Sequence, residues 1–222
     1  MRHPSIAAAL LGCCLSALSI SAGASPVNLV SNGSFEQTSS ANAHQAANSW
    51  STYNNIVGWK GAPNIEVRNN VSGSTPFGSS YVELDTDRTG NANSSIWQML
   101  DTMAGQLYEL SFSYAQRPDH RGVASNGLCW QIGNGACNAF GADTNTAWTT
   151  LTVQFTAEGD KTRLRFAAIG IADTFGTSLD NVGVYAVASA AQTASQVPEP
   201  ASLALAVFGL AASAIGSRRR PR

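Results

Sequence analysis

The sequence predicts an all-β domain, an antiparallel β-sandwich of jelly-roll type, between Val27 and about Val187. Three observations predict it: short runs in which apolar and polar residues alternate, Gly and Asn turn signals between these runs, and no sustained helical period. Charged residues make up only 12% of the 222-residue chain and its net charge is −1, which argues against a nucleic-acid partner.

The predicted strands follow one another along the domain. In order they are NLV (28–30), IVGW (56–59), NIEVR (64–68), YVELD (81–85), SSIWQML (94–100), QLYELSFSYAQ (106–116), WTTLTVQFTA (148–157), KTRLRFAAIG (161–170) and NVGVYAV (181–187). In the sixth of these runs, Tyr108, Leu110 and Phe112 share one face, and polar residues take the other. Strands with one apolar face need a second layer to cover that face, so we expect two packed sheets.

The N-terminus has the pattern of a signal peptide over residues 1–24. Arg2 supplies the positive charge, Ile6 to Ile20 form an apolar core, and Ala22-Gly23-Ala24 is a small-residue cleavage site. A buried N-terminal helix is the alternative. The signal peptide predicts export and removal by signal peptidase, leaving a domain at 25–187.

Export changes the interpretation of the cysteines. Cys13 and Cys14 leave with the signal peptide, so the mature chain keeps Cys129 and Cys137. In an oxidising compartment two nearby cysteines favour a disulfide that closes a short loop. Two free thiols remain an alternative, and a metal site would require more soft ligands.

The C-terminus contains a tether and an apolar segment. Residues 188–196 are small and polar, which is typical of a flexible linker. Ala201 to Gly216 are 16 uncharged residues, and a helix of this length spans about 24 Å, near the lower limit for a transmembrane helix. A buried core helix is the alternative. The basic tail that follows comprises Arg218, Arg219, Arg220 and Arg222.

Residues 197–222 also carry a specific motif. Val197, Pro198, Glu199 and Pro200, followed by the short helix and the arginines, resemble the PEP-CTERM sorting signal of Gram-negative bacteria. The resemblance implies an intermediate held in the inner membrane and processing by an exosortase. It also implies a final location at the cell surface or outside the cell, in connection with exopolysaccharide and biofilm.

The domain itself has a second resemblance. NLVSNGSFE, YVELD, IWQMLDTMAGQLYELSFSYAQRP and SLDNVGVY occur in the order seen in galactose-binding-like jelly rolls, which include carbohydrate-binding modules and DUF642-like domains. The resemblance implies a structural Ca²⁺ held by Glu36 and Asp180 at the two ends of the domain. The alternative is that Glu36 caps a turn and Asp180 bonds nearby backbone.

Aromatic and polar residues near the cysteines suggest a glycan site. Sugar C–H faces stack on aromatic rings, and sugar hydroxyls bond to amides and guanidinium groups. We expect Arg117, Asn126, Trp130 and Gln131 to supply such a set. Trp59 and Trp97 are instead expected to serve the core or to cap a sheet.

No recognised nucleophile motif organises the polar residues, so the sequence favours a non-enzyme. The expected function is polysaccharide binding by an exported surface or matrix protein. The alternative is a purely structural or adhesive protein with a calcium-stabilised fold. A glycan hydrolase or esterase is the third hypothesis, with carboxylates drawn from Glu83, Asp85, Asp87 or Asp173.

Overall fold

The computed structural model describes residues 25–86, 92–119 and 122–188. The signal peptide, the sorting motif, the basic tail and all of the linker except residue 188 lie outside the described residues.

The predicted all-β class is confirmed, since the described residues contain strands and one three-residue 3₁₀ helix, Val123–Ser125. The strands are β1 (Ser49–Ile56), β2 (Trp59–Asn69), β3 (Ser80–Glu83), β4 (Asp85–Thr86), β5 (Ala92–Asn93), β6 (Ser95–Asp101), β7 (Leu107–Gln116), β8 (Leu128–Ile132), β9 (Asn138–Phe140), β10 (Thr149–Thr156), β11 (Lys161–Ala168) and β12 (Thr177–Ala186). Within these ranges no helix is long and apolar enough to cross a membrane.

All strand pairs are antiparallel, and the main sheet turns over on itself at β2. Its order is β10-β7-β12-β3-β2-β6-β11-β8-β9, with β1 also paired to β2, while β4 and β5 form a separate ribbon. The first part of β2, Lys60 to Ala62, pairs with β6, and its second part, Glu66 to Asn69, pairs with β3. Pro63 separates the two parts and has no N–H to donate to a ladder. One long strand therefore serves both layers, which we call the β3–β12–β7–β10 layer and the β6–β11–β8–β9 layer.

The core lies between these layers. Phe112 of β7 and Phe166 of β11 meet edge to face, with ring centroids 5.0 Å apart, and Trp59 packs against Phe166 at 6.2 Å. All three side chains are buried, as predicted by the alternation in β7 and β11 and by the expectation that Trp59 serves the core. Strand β10 lies at the sheet edge, so Leu151 and its apolar partners are only half-buried.

Two predicted strands are wrong. Residues 28–30 form no strand; instead, the N–H of Leu29 donates a single hydrogen bond of 2.9 Å to the carbonyl oxygen of Val184. The run at 56–59 is not one strand, because Ile56 ends β1, Trp59 begins β2, and residues 57 and 58 form the turn between them. Gly58 has φ +78° there, and a Cβ at this position would lie 2.7 Å from the Ser31 oxygen. The apolar side chains of this run pack against the core individually. A period-two pattern does not distinguish such residues from those of a continuous strand.

The predicted disulfide is present. Cys129 of β8 and Cys137 form it, with their Cα atoms 5.5 Å apart, and it closes the turn that joins β8 to β9.

Candidate functional site

The outer face of the β3–β12–β7–β10 layer carries a buried charge cluster. Val67 and Val82 point into the core, so their neighbours in the strands, including Glu66, Arg68 and Glu83, point to the other side. These three side chains are nevertheless buried, because polar loops fold over the sheet there. The loops are residues 70–79 between β2 and β3, residues 117–119 after β7, and residues 172–176 before β12.

Two arginines hold the charge cluster together, and Glu83 lies between them. The Nε atom of Arg68 is 3.2 Å from Oε2 of Glu83, and Nη1 of Arg117 is 3.2 Å from its Oε1. Arg68 also forms an ion pair with Glu66, whose Oε1 is 2.5 Å from Nη2. Arg117 forms a bidentate contact with Asp119, in which Nε and Nη2 donate to the two carboxylate oxygens at 2.9 and 3.0 Å. Each guanidinium is therefore fixed by at least two carboxylates.

Arg117 also ties the covering loops to the sheet. It donates a hydrogen bond of 2.6 Å to the carbonyl oxygen of Thr174 and another of 2.9 Å to Oγ of Ser72. Its guanidinium lies 4.4 Å from the centre of the Phe175 ring. One side chain thus joins all three loops, which makes it the organising residue of this face.

Burial dominates the electrostatics of the charge cluster. It raises the pKa of Glu83 to about 8, even though Arg68 and Arg117 act in the opposite direction. Burial likewise raises the pKa of Tyr81 to about 12. The hydrogen bond from Arg117 lowers the pKa of Asp119. The cluster therefore sets two arginines against three carboxyl groups, and the buried Glu83 holds its proton more tightly than an ordinary glutamate does.

A small pocket opens onto this cluster, and we call it the Trp50 pocket. Its volume is about 170 Å³, and its lining consists of Trp50, Glu66, Arg68, Val71, Ser72, Arg117 and Thr174. Trp50 lies opposite Arg68 in the β1–β2 pair and has 42% of its surface exposed, a large fraction for a tryptophan. The pocket therefore combines an accessible aromatic ring with charged groups held rigidly at its base.

A second cavity, the Trp148 cleft, lies beside the first. It measures about 320 Å³, and its lining is Ser72, Gly73, Ser74, Tyr81, Ala115, Gln116, Pro118, Thr146, Ala147, Trp148 and Ser178. The indole N–H of Trp148 donates a hydrogen bond of 2.8 Å to the Ser74 carbonyl oxygen. The same ring meets Tyr81 edge to face at 5.9 Å. Ser72 belongs to both cavities and stands between them.

The residues predicted for a glycan site do not converge. Arg117 belongs to the charge cluster, whereas the amide of Asn126 is buried and donates to the carbonyl oxygens of Gly122 and Asp143. Trp130 is half-buried in β8 and packs against the core. Gln131 points to the opposite side of β8 and bonds Gly135 at 2.8 Å. Of the four, only Arg117 lines a cavity described here.

The two residues predicted to hold calcium both bond to the segment of residues 75–80 that leads into β3. Oε1 of Glu36 accepts the N–H groups of Ser79 and Ser80 at 2.7 and 2.9 Å. Asp180 is fully buried and accepts hydrogen bonds from the Thr75 hydroxyl and the Asn181 N–H. Burial and the nearby Glu36 charge raise the pKa of Asp180 to about 7. In the described part of the chain neither carboxylate forms an ion pair, and no group of three or more His, Cys, Asp or Glu residues there is arranged so that it could hold a metal ion.

The carboxylates considered for hydrolysis are engaged elsewhere. Glu83 lies within the charge cluster, and Asp85 accepts the N–H of Asp173 at 2.8 Å. Asp173 in turn accepts the Ser125 hydroxyl at 2.7 Å. Asp87 lies outside the described residues.

The raised pKa of Glu83 predicts a pH-dependent stability. The folded-state value of about 8 exceeds the ordinary value of 4.5, so the folded protein holds this proton more tightly than the unfolded chain does. The stabilisation is complete below the ordinary pKa and is lost as the pH rises through about 8. We therefore expect the wild type to lose stability relative to Glu83→Gln over this interval. Urea unfolding across the pH range measures it.

Glu158→Gln is the matched control for this series, because Glu158 is exposed. Its stability should follow the wild type at every pH. Wild-type and Glu83→Gln curves that run parallel, or that diverge in the opposite direction, would show that folding does not raise the pKa of Glu83.

Comparisons with known proteins identify one domain family and one sorting motif in this chain. Residues 28–185 match the family described as "Protein of unknown function (DUF642)", and residues 196–220 match the "PEP-CTERM protein-sorting motif". Both resemblances predicted from the sequence motifs are thereby confirmed. The sorting motif places the chain among exported proteins that are secreted or displayed at the cell surface.

Individual proteins and solved structures that resemble this chain share less than a third of its residues. The multifunctional-autoprocessing repeats-in-toxin of Vibrio vulnificus is 29% identical over 180 residues, which cover 79% of this chain but only 3% of the toxin. A solved structure of TmCBM61 in complex with β-1,4-galactotriose is 14% identical, with a TM-score of 0.46; the match covers 72% of this chain and 99% of that one. The CBM22-1 xylan-binding domain of Paenibacillus barcinonensis Xyn10C is 18% identical, with a TM-score of 0.44, over 76% of this chain and all of that domain.

Proposed function

The chain belongs to the DUF642 family and carries a PEP-CTERM sorting motif, and we propose that this exported protein binds carbohydrate in the Trp50 pocket. The observation that carries the proposal is the pairing of an accessible tryptophan with a buried charge cluster. Binding sites of this kind join an apolar surface to a few well-placed polar groups.

The chemistry of the pocket suits a sugar. The apolar C–H face of a pyranose ring can stack on the Trp50 indole, while its hydroxyls bond to the charged groups behind it. Hydrogen bonds to charged groups are stronger than those between neutral groups. Because Arg68 and Arg117 are already fixed by carboxylates, little side-chain freedom is lost when a ligand binds.

We assign binding rather than catalysis to this pocket. A glycoside hydrolase requires one carboxyl to donate a proton and a second to act as base or nucleophile. Here Glu66 and Asp119 are ion-paired to arginines, which holds both side chains in place and suits them to fixed hydrogen bonding. Glu83 lies behind the same arginines and is fully buried.

The route to the cell surface completes the proposal. Signal peptidase would remove residues 1–24, and the C-terminal helix would hold the domain at the inner membrane. An exosortase would then cleave near Val197–Pro200 and release or transfer the domain. An extracellular polysaccharide of the producing cell, such as that of a biofilm, is the ligand that this route would bring to the Trp50 pocket.

Affinity electrophoresis through gels that contain polysaccharides tests the binding function. The protein should be retarded by at least one polysaccharide and not in a polysaccharide-free gel. Unchanged mobility in every gel, together with no binding on a glycan array, would leave the purely structural or adhesive alternative.

We further propose that Glu36 and Asp180 hold a structural Ca²⁺. A buried Asp180 near Glu36, with no ion-pair partner in the described residues, suits a cation, and oxygen is the ligand that calcium prefers. Calcium takes about six to eight oxygens, so backbone carbonyls and water would have to supply most of them. The ion would neutralise two neighbouring negative charges where β12 meets the N-terminal segment.

Melting temperatures in calcium and in EDTA test this site. If calcium is present at about 100 times its dissociation constant, the linkage stabilises the fold by about 2.7 kcal/mol, or roughly 5–10 °C in a domain of this size. Asp180→Asn should abolish the difference. Asp160→Asn, at an exposed aspartate, should preserve it. Equal wild-type melting temperatures in both buffers would rule out a stabilising calcium.

A further inference from the structure

The two cavities of the outer face lie on either side of one residue. Ser72 lines both the Trp50 pocket and the Trp148 cleft. Its hydroxyl accepts a hydrogen bond of 2.9 Å from Nη2 of Arg117, so the partition between the cavities is held in place by the charge cluster. Only the small side chain of Ser72 separates the two cavities, so a ligand in one cavity can extend into the other.

The Trp148 cleft has a neutral, hydroxyl-rich lining. None of its lining residues is charged, and the set contains three serines, one threonine, one tyrosine and one glutamine. Within the described residues, the side-chain hydroxyls of Ser74, Thr146 and Ser178 form no hydrogen bond. Hydroxyls that line a cleft without a protein partner are suited to exchange hydrogen bonds with a hydroxylated ligand.

The charges of the Trp50 pocket are balanced within the protein. Arg68 pairs with Glu66 and Glu83, and Arg117 pairs with Asp119 and Glu83. An anionic ligand would have to approach three carboxyl groups and compete with them for the same guanidinium groups. A site that selects anions keeps positive charge in excess, and this one does not.

We propose, on the basis of the proposed function, that the ligand is an uncharged polysaccharide whose chain passes over Ser72 and occupies both cavities. One sugar stacks on Trp50 and bonds to the charge cluster. The continuing chain lies in the Trp148 cleft and exchanges hydrogen bonds with its hydroxyls. The Trp148 cleft is therefore a second subsite that recognises chain length, and the pairing of charges in the Trp50 pocket excludes acidic sugars.

Isothermal titration with two sets of probes tests this inference. The neutral set is gluco-, xylo- and galacto-oligosaccharides, each from the monosaccharide to the hexasaccharide; the acidic set is oligogalacturonate and alginate. At least one neutral series should bind with affinity that rises with length and does not change with sodium chloride concentration. Trp148→Ala should weaken the hexasaccharide about tenfold and leave the shortest bound member unchanged.

A second variant separates a lost contact from a disturbed loop. Thr146 is exposed and lines the cleft, so Thr146→Trp should narrow the cleft without removing the Trp148 contacts. It should produce the same selective loss of the longer oligosaccharides. Trp50→Ala, by contrast, should weaken every member of the series.

Several results would overturn the inference while leaving glycan binding intact. They are a preference for the acidic probes, affinity that falls as salt is added, or an unchanged hexasaccharide affinity in both cleft variants when Trp50→Ala loses binding. Failure of both the neutral and the acidic set to bind would overturn the inference together with the proposed function.

Discussion

Arg117→Ala is expected to lower the free energy of unfolding by about 3–5 kcal/mol, the cost of breaking a buried ion pair by removing one partner. The variant leaves Glu83 buried with one arginine instead of two and removes the bonds to Thr174 and Ser72. In a domain of this size the melting temperature should fall by roughly 10 °C. Thermal and urea unfolding measure both quantities.

Two further variants show whether geometry or charge matters at this position. Arg117→Lys keeps the charge but cannot reproduce the two-pronged contact with Asp119, so it should recover only part of the loss. Arg165→Ala, on the solvent side of β11, should stay within about 0.5 kcal/mol of the wild type. An Arg117→Ala protein as stable as the Arg165→Ala protein would contradict the organising role of Arg117.

Trp50→Ala is expected to reduce glycan affinity about 30-fold or more, the effect of truncating a central aromatic residue in a binding site. The ring supplies the apolar surface of the pocket, while the charge cluster behind it remains intact in the variant. Because the ring is substantially exposed, the melting temperature should move by only a few degrees. Titration calorimetry and a thermal melt measure the two effects separately.

Trp97→Ala is the matched control for this variant. Trp97 is also partly exposed on a strand, but it lies in β6, on the other layer, where Lys60 covers its ring at 4.9 Å. It should bind glycan as the wild type does. Equal losses in the two variants would indicate a general effect on folding rather than a contact in the Trp50 pocket.

The strands that form the core could be predicted because their alternation is local. In β7 and β11 the residues predicted to face inward are mostly buried, including Phe112 and Phe166. The strand predictions were wrong at Leu29 and at the turn that contains Gly58, because apolar residues there pack individually and do not form a continuous strand. Period-two alternation records which side a residue faces, and it does not record whether a neighbouring strand pairs with it.

The candidate site could be predicted only in fragments. Glu66 and Arg68 alternate with Ile65 and Val67, which is the ordinary pattern of a solvent-facing side. They are buried because three loops cover them, and two of these loops, at 117–119 and 172–176, are distant in sequence, so no local pattern records the contact. Arg117 was identified as a site residue, but with partners near the disulfide.

The aromatic residue was chosen on local grounds as well. Trp130 attracted the prediction because it lies in a polar segment between two cysteines, yet it packs against the core. The sequence around Trp50 gave less reason to predict a binding residue than the sequence around Trp130 did. Trp50 gains a charged neighbour only in the folded sheet, where it lies opposite Arg68. The calcium site that the resemblance implied at Glu36 and Asp180 remains a proposal.

The most direct test of glycan binding in the Trp50 pocket follows the indole N–H signals of the five tryptophans by NMR as a bound polysaccharide fragment is added. Trp→Phe variants assign the signals. The account predicts that the Trp50 signal shifts in proportion to saturation, while those of the buried Trp59 and of Trp97 stay in place. A bound ligand that leaves the Trp50 signal unmoved, and shifts Trp97 or Trp130 instead, would contradict it.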